Sequence, residues 1–325
     1  MGNASTNESV QRKIYYRKAV FSDKDKTLQE FLSDALSMTN VGNRQETFDP
    51  SETLFRLINT TKEYHDMLFC QMILVDSGAS QPIVIYDDNL KSFQIDAVFS
   101  TNLIKKRRKQ KSDFVNSMLY FGVRENEVVV LASQALSIRS LEVHLKWLLK
   151  EATKVVPDNV DFGLTKEPPR DVEDRIRSCP VKSIEIGSSI VSPNQVKSSD
   201  EYVAQNSFSI GVTAVKALLE RVRLPWPEGI TEDANLSAKI VLTYNRRTDD
   251  VGHDLLNKLG TTLRNLDDSD LKISLEGGGV IAGEDLNLCK IIRISKTKNG
   301  LYCEDEIYHE MSEWLTELLV SKEMP

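Results

Sequence analysis

Two uninterrupted apolar runs mark the centre of the first half of the chain. They are Val115–Val123 and Val128–Ala132, and the polar tetrapeptide Arg124-Glu125-Asn126-Glu127 separates them. Runs of this kind are typical of strands that are covered on both faces, and a short polar break favours a hairpin turn. The pattern therefore predicts a buried hairpin.

Helical spacing follows the hairpin and predicts an amphipathic helix over about Arg139–Glu151, with Ser137 or Ser140 as its N-cap. Its apolar stripe consists of Leu141, Leu145, Leu148 and Ala152. Upstream, strands are predicted at Lys13–Phe21, Thr53–Asn59, Met67–Val75, Pro82–Tyr86 and Phe93–Phe99, with a helix formed by Leu28, Phe31, Leu32, Ala35 and Leu36 after the first. Strands joined by short turns imply an antiparallel sheet with helices packed on one face.

The pattern changes after Val156. Pro157, Pro168, Pro169 and Pro180, interleaved with charged residues, indicate a linker or hinge. Strands and helices then alternate at Val181–Ile186, Ile210–Val222, Ala238–Tyr244, Val251–Leu266 and Leu271–Leu275, followed by a strand at Leu288–Ser295 and a helix at Glu304–Leu319. The chain is expected to be α+β. A mainly antiparallel globular domain, residues 1–165 completed by 286–325, would carry a small α/β domain inserted at 175–285.

Composition and the cysteine pattern favour a cytoplasmic protein. The chain has 325 residues, 40% of them hydrophobic, with no apolar run near the roughly 18 residues that a membrane span needs. Four cysteines without a Cys-x-x-Cys pair suit a reducing compartment. The first residues fit the short N-myristoylation pattern at Gly2, but a polar, disordered tip is the expectation favoured here.

A dense basic run is the main candidate for function. Six of the seven residues in 105–111 are cationic: Lys105, Lys106, Arg107, Arg108, Lys109 and Lys111. Residues 101–150 carry a local charge of +6, whereas the chain as a whole carries −7. Such asymmetry concentrates positive potential on one patch and favours polyanion binding. An ordinary solvated loop and a eukaryotic nuclear-import signal remain the alternatives.

Two further stretches are candidate phosphate-binding sites. Arg246 and Arg247 follow the strand ending at Tyr244 and precede a helix, which could place a second phosphate near a helix N-terminus. The slightly favoured alternative is that Arg246 and Arg247 are simply exposed to water at the end of the strand. Gly277-Gly278-Gly279 could cradle a phosphate, but no Gly-Lys-Ser/Thr follows, so a turn is expected.

Catalytic signatures are missing from the sequence. The four histidines do not have the spacing of a metal-binding motif. The sequence also lacks the Gly-x-Ser-x-Gly motif of a nucleophile elbow. No cofactor and no metal are expected, and the sequence favours a binding protein over an enzyme. The alternative is a metal-dependent nuclease toxin, in which scattered acids such as Asp96 and Glu276 would build the site.

The order of elements resembles the RexA family of prophage exclusion proteins. The resemblance rests on the aromatic first strand with Tyr15-Tyr16, the hairpin Ser117–Ala132 with Ser137–Leu149, and Val181–Glu185 after the hinge. It continues in Ala238–Leu242, Arg246-Arg247, Leu271–Glu276 and Ala282-Gly283-Glu284. It implies a globular domain with an inserted swivelling domain, and a homodimer that binds double-stranded DNA without sequence preference. It also implies that the protein acts in abortive infection and has a small membrane channel as its partner.

Overall fold

A computed structural model describes residues 9–23, 26–49, 51, 53–85, 94–99, 113–179, 181–189, 237–243, 271–277 and 279–321. The chain divides into two compact units. The first contains residues 1–20, 127–129 and 163–325, and the second contains 21–126 and 130–162. The fold is α+β with mostly antiparallel sheets, as the sequence predicts.

The described elements follow one another in this order: β1 (Ser9–Phe21), α1 (Leu28–Met38), β2 (Glu46–Thr47), β3 (Leu54–Tyr64), β4 (Met67–Asp76), β5 (Ser80–Ile85), β6 (Gln94–Phe99), β7 (Phe114–Arg124), β8 (Glu127–Leu131), α2 (Ile138–Lys146), β9 (Phe162–Thr165), α3 (Arg170–Ser178), β10 (Val181–Ser189), β11 (Ser237–Thr243), β12 (Leu271–Leu275), β13 (Val280–Ala282), β14 (Cys289–Ser295) and α4 (Glu304–Ser321).

The first unit brings the two ends of the chain together in one sheet. β14 pairs antiparallel with β1, in a register that runs from Ser9 opposite Ser295 to Tyr15 opposite Cys289. Beyond this register the backbone N–H of Tyr16 donates to the carbonyl of Leu288, and β9 pairs with β1 as well. Helix α4 packs with β14 and buries Ile307, Met311 and Leu315. The strand β14 therefore sits beside β1 although about 270 residues separate them.

A smaller antiparallel sheet, with strand order β11–β10–β12–β13, lies in the same unit. Its core is apolar and contains Val181, Ile184, Ile273 and Ile281, and α3 adds Val172 and Ile176 to it. The turn between β12 and β13 uses Gly277 at φ +94, where a residue with a Cβ would be strained. A turn is what the sequence favours over a phosphate cradle at this position.

The second unit is built on the antiparallel strand order β7–β4–β3–β2, and β5 pairs antiparallel with β6. Strand β4 is paired on both edges, with β3 and β7, and seven of its ten residues are buried. Close packing at this sheet requires Gly122, since a Cβ there would lie 2.4 Å from Cε1 of Phe69. The predicted hairpin is confirmed, since β7 and β8 are hydrogen-bonded neighbours around a two-residue turn in which Glu125 has φ +54. Its burial is confirmed only next to the turn, because Val115 and Asn116 at the start of β7 are exposed.

Helices α1 and α2 complete the second unit, and both begin at a capping residue. Thr27 and Glu30 form a reciprocal capping box at the start of α1. Ser137, one of the two predicted caps, accepts a hydrogen bond from the backbone N–H of Ser140 at the start of α2. Helix α2 continues as a wider π-helical turn over Trp147–Ala152, so the helical stretch reaches the predicted end.

Several sequence predictions need correction. Strand β3 does not end at Asn59 but runs to Tyr64, because Lys62 and Glu63 pair across to β4 and the turn is at His65–Asp66. The segment from Pro157 to Pro180 is not only a linker, since it contains β9 and α3. The helices expected at Ile210–Val222 and Val251–Leu266 lie outside the described residues. The boundaries 1–165, 286–325 and 175–285 stay a prediction.

Among the described residues, no helix combines the length and apolar character needed to cross a membrane.

Candidate nucleic-acid interface

The basic residues singled out by the sequence are not part of the structural description. Lys105, Lys106, Arg107, Arg108, Lys109 and Lys111 lie outside the described residues, and so do Arg246 and Arg247.

The pairing of β1 with β14 creates a cationic surface that the sequence did not reveal. Residues 9–22 contain four cations and no acid, and residues 286–303 likewise contain four cations and no acid. The first four are Arg12, Lys13, Arg17 and Lys18, and the second four are Lys290, Arg293, Lys296 and Lys298. Six of these cations lie in β1 and β14, and Lys296 and Lys298 follow directly after β14, in a chain whose net charge is −7.

The two faces of the strand pair differ in their cover. One face carries Ile14, Ile292 and Ile294, which are buried. Lys290 is on the same face and pairs with Glu317 of α4 at 3.1 Å, so α4 covers this side. The other face, which we call the open face, carries Gln11, Lys13, Tyr15, Cys289, Ile291 and Arg293. Five of these six side chains are exposed, and Tyr15 is half-buried.

Cations on and around the open face contact aromatic rings. The ammonium of Lys13 lies 6.0 Å from the centroid of the Tyr15 ring, and the guanidinium of Arg17 lies 5.8 Å from the same centroid. Arg17 itself is buried and donates a 2.8 Å hydrogen bond to Oδ1 of Asn287. It therefore holds the Tyr15 ring from within the protein, whereas Lys13 is exposed to solvent.

A further aromatic contact lies at the edge of the strand pair. Arg12 donates a 2.7 Å hydrogen bond to the hydroxyl of Tyr302 and stacks over its ring at 5.3 Å. Lys18 is partly neutralised by Glu127 at 3.7 Å. Lys13 and Arg293 are consequently the two exposed cations of the open face and could bind an anion.

Sequence reasoning missed this surface for a physical reason. Four cations within a strand are unremarkable alone, and nothing in either segment shows that residues 9–15 pair with 289–295. The shared lack of acids in both segments was the only signal available. Pairing across the chain is what turns two modest segments into one surface.

A second constellation lies buried in the second unit. Glu46 of β2 accepts hydrogen bonds from Nε of Arg56 at 2.7 Å and from Nδ1 of His144 at 2.8 Å. Burial alone would raise the pKa of Glu46, but the bonds from Arg56 and His144 outweigh burial and lower its pKa to about 2. Burial lowers the pKa of His144, although Glu46 opposes this shift, so the imidazole is neutral near pH 7.

This buried trio is suited to stability and not to chemistry. His144 is 0% exposed and stacks on Trp147 with a 5.5 Å centroid distance, so a substrate cannot reach its ring. Its Nε2 has no hydrogen-bond partner. The trio instead connects strand β2, strand β3 and helix α2 through charged hydrogen bonds.

Within the described ranges, no group of three His, Cys, Asp or Glu side chains is arranged to hold a metal ion. No family model matches the chain, and no curated protein matches it significantly.

Proposed function

We propose that this protein binds double-stranded DNA without sequence preference. The observation that carries the proposal is the strand pair of β1 and β14, whose own residues include six cations and no acid and which presents Lys13 and Arg293 on the open face of a chain of net charge −7. The basic run Lys105–Lys111 adds a second source of positive charge. Cations of this kind bind phosphates and release counterions, which supplies affinity but carries no base information.

The resemblance to RexA-like exclusion proteins supports a setting for this binding. In that setting the protein is a cytoplasmic, homodimeric, non-enzymatic sensor in prophage-encoded abortive infection. A small membrane channel encoded nearby would be its partner. A neighbouring gene for a small multi-span membrane protein supports this role, and its absence removes the main reason for it.

The strand pair of β1 and β14 offers a matched test of the open face. The double variant Lys13→Gln/Arg293→Gln removes two cations from the open face, whereas Lys290→Gln removes the cation that pairs with Glu317 under α4. Each phosphate contact contributes about −0.9 to the slope of log K against log salt. The double variant should therefore flatten the slope by about 1.8, and Lys290→Gln should leave it nearly unchanged.

Fluorescence anisotropy with two duplexes of unrelated sequence measures both slopes. If the double variant keeps the affinity and slope of the unmodified protein, the open face is not the DNA surface. If plasmid is instead degraded in a way that a chelator abolishes, the protein is a metal-dependent nuclease and the non-enzymatic proposal is wrong.

A further inference from the structure

The open face carries features that a duplex backbone does not use. Ile291 is 63% exposed and lies directly opposite Lys13 in the antiparallel register. Tyr15 is the next residue of β1 on the same face, opposite Cys289. Ile291 is thus a neighbour of both cations of the open face, and the half-buried Tyr15 ring lies next to Lys13 on the side away from Arg293. Phosphates alone would favour cations and small polar groups at these positions.

The open face also continues into a groove. A groove of about 400 Å³ lies beside it and is lined in part by Lys13, Cys289 and Leu288, together with Val172 and Arg175 of α3. The carboxylates of Asp171 and Asp285 stand at the same groove. Its walls therefore combine apolar surface, the cations Lys13 and Arg175, and carboxylate oxygens that can accept hydrogen bonds.

These features match an unpaired nucleotide. A base in a single strand has an exposed face that stacks on aromatic side chains, and it has N–H groups, such as N3–H of thymine, that can donate to carboxylates. The phosphates on either side need cations nearby. In a duplex the bases are stacked on one another, so neither Tyr15 nor the groove has a base to contact.

We infer that the open face and its groove bind single-stranded nucleic acid, with bases against Tyr15 and Ile291 and backbone phosphates on Lys13, Arg175 and Arg293. This inference rests on the proposed function, because it assigns a strand preference to the same cationic surface. The charge of the surface supplies affinity for both forms of DNA. The Tyr15 ring and the groove supply the preference for an unpaired strand.

Affinity measurements with Tyr15 variants test the preference. Base stacking is worth about 1–3 kcal/mol per base. Tyr15→Ala should therefore weaken binding of an oligothymidylate about tenfold or more and change duplex binding less than about twofold. Tyr15→Phe retains the ring and should bind like the unmodified protein. The salt slope should not change in either variant, because no cation is removed.

A gain of affinity provides a second test that does not depend on removing a half-buried side chain. Position 291 is exposed, so Ile291→Trp adds aromatic surface to the open face without disturbing the core. It should tighten binding of the oligothymidylate severalfold and leave duplex binding unchanged.

Alkylation of Cys289 reports the site directly. Its thiol is exposed and lines the groove, whereas Cys70 is buried and Cys303 is only partly exposed. The oligothymidylate should slow alkylation of Cys289 in the unmodified protein more than a duplex at equal occupancy does, because only the unpaired strand places a base in the groove. Alkylation of Cys303 serves as the internal reference.

The outcomes separate this inference from the proposed function. If neither DNA form binds, the proposed function is wrong. If DNA binds but is indifferent to Lys13→Gln/Arg293→Gln, the open face is not the DNA surface and this inference is overturned, while DNA binding through the basic run Lys105–Lys111 stands. If both forms bind through these cations while Tyr15→Ala affects them equally and both protect Cys289 equally, DNA binding stands and the single-strand preference is overturned.

Discussion

At the scale of single residues, the buried trio of Glu46, Arg56 and His144 decides how the second unit responds to acid. Arg56 and Glu46 form two parallel hydrogen bonds of 2.7 and 2.8 Å, and the Arg56 guanidinium also lies 4.9 Å from the centroid of Phe48. Bidentate pairs of this kind are strong when desolvated, and breaking one leaves an uncompensated buried charge.

The trio predicts a loss of stability in acid. The pKa of Glu46 is lowered from 4.5 to about 2, so its contribution is complete above pH 4.5 and disappears as the pH falls towards 2. The pKa of His144 is also lowered from 6.5, so the unfolded chain takes up this proton first and stability falls as the pH drops below 6.5. Both contributions therefore favour the folded state at neutral pH.

Urea denaturation at pH 7.5 and pH 5.5 measures this effect for the unmodified protein and for His144→Gln, which keeps a neutral hydrogen-bonding side chain. The unmodified protein should lose more stability between the two pH values than the variant does. At pH 7.5 the variant should be less stable by about 1–3 kcal/mol, the cost of disturbing a buried hydrogen-bonded group. Equal pH dependence in both proteins would mean that His144 does not titrate as proposed.

At the scale of elements, α1 shows how a short signal starts a helix. The side chain of Thr27 accepts from the backbone N–H of Glu30 at 3.3 Å, and Glu30 accepts from the backbone N–H of Thr27 at 2.8 Å. These bonds satisfy two backbone donors that the helix itself cannot. The helix then buries Leu28, Phe31, Leu32 and Ala35.

Removing the cap should cost a measurable but modest amount of stability. Thr27→Ala should lower the free energy of unfolding by about 1 kcal/mol. Thr27→Ser keeps the hydroxyl, so its free energy of unfolding should differ from that of the unmodified protein by no more than about 0.5 kcal/mol. The urea midpoints of the two variants give the comparison. An Ala variant as stable as the Ser variant would show that packing alone sets the start of α1.

Most elements were predictable where apolar residues repeat clearly. The hairpin of β7 and β8, helix α2 and strand β4 all follow from such repeats. Helix α3 was missed because it has only Val172 and Ile176 to bury among charged residues, and its N-cap is Pro169. The length of β3 was missed because pairing with β4, not apolar character, carries it past Asn59.

At the scale of the whole molecule, charge is distributed unevenly over an acidic chain. The basic run Lys105–Lys111 was evident in the sequence, whereas the surface formed by β1 and β14 depends on strand pairing that no local pattern encodes. The same limit applies to the buried trio, whose three members are far apart in the chain. The basic run and the surface of β1 and β14 are therefore two separate candidates for the proposed DNA binding.

The contribution of the basic run can be separated from that of the strand pair. Replacing all six cations of Lys105–Lys111 by Gln removes charge ahead of β7, so stability should change by only about half a kcal/mol. Affinity for duplexes of any sequence should fall together, since phosphate contacts carry no base information. A folded Gln variant that keeps its affinity and salt slope would show that the run is a solvated loop.

The most direct test of DNA binding is a salt titration of the unmodified protein. Binding constants for two duplexes of unrelated sequence are measured by anisotropy across a range of salt concentrations. We predict that log K falls linearly with log salt, with the same slope for both duplexes. Four neutralised phosphates per protomer give a slope of roughly −3.6. Absence of binding at the lowest salt, or a slope near zero, would contradict the account.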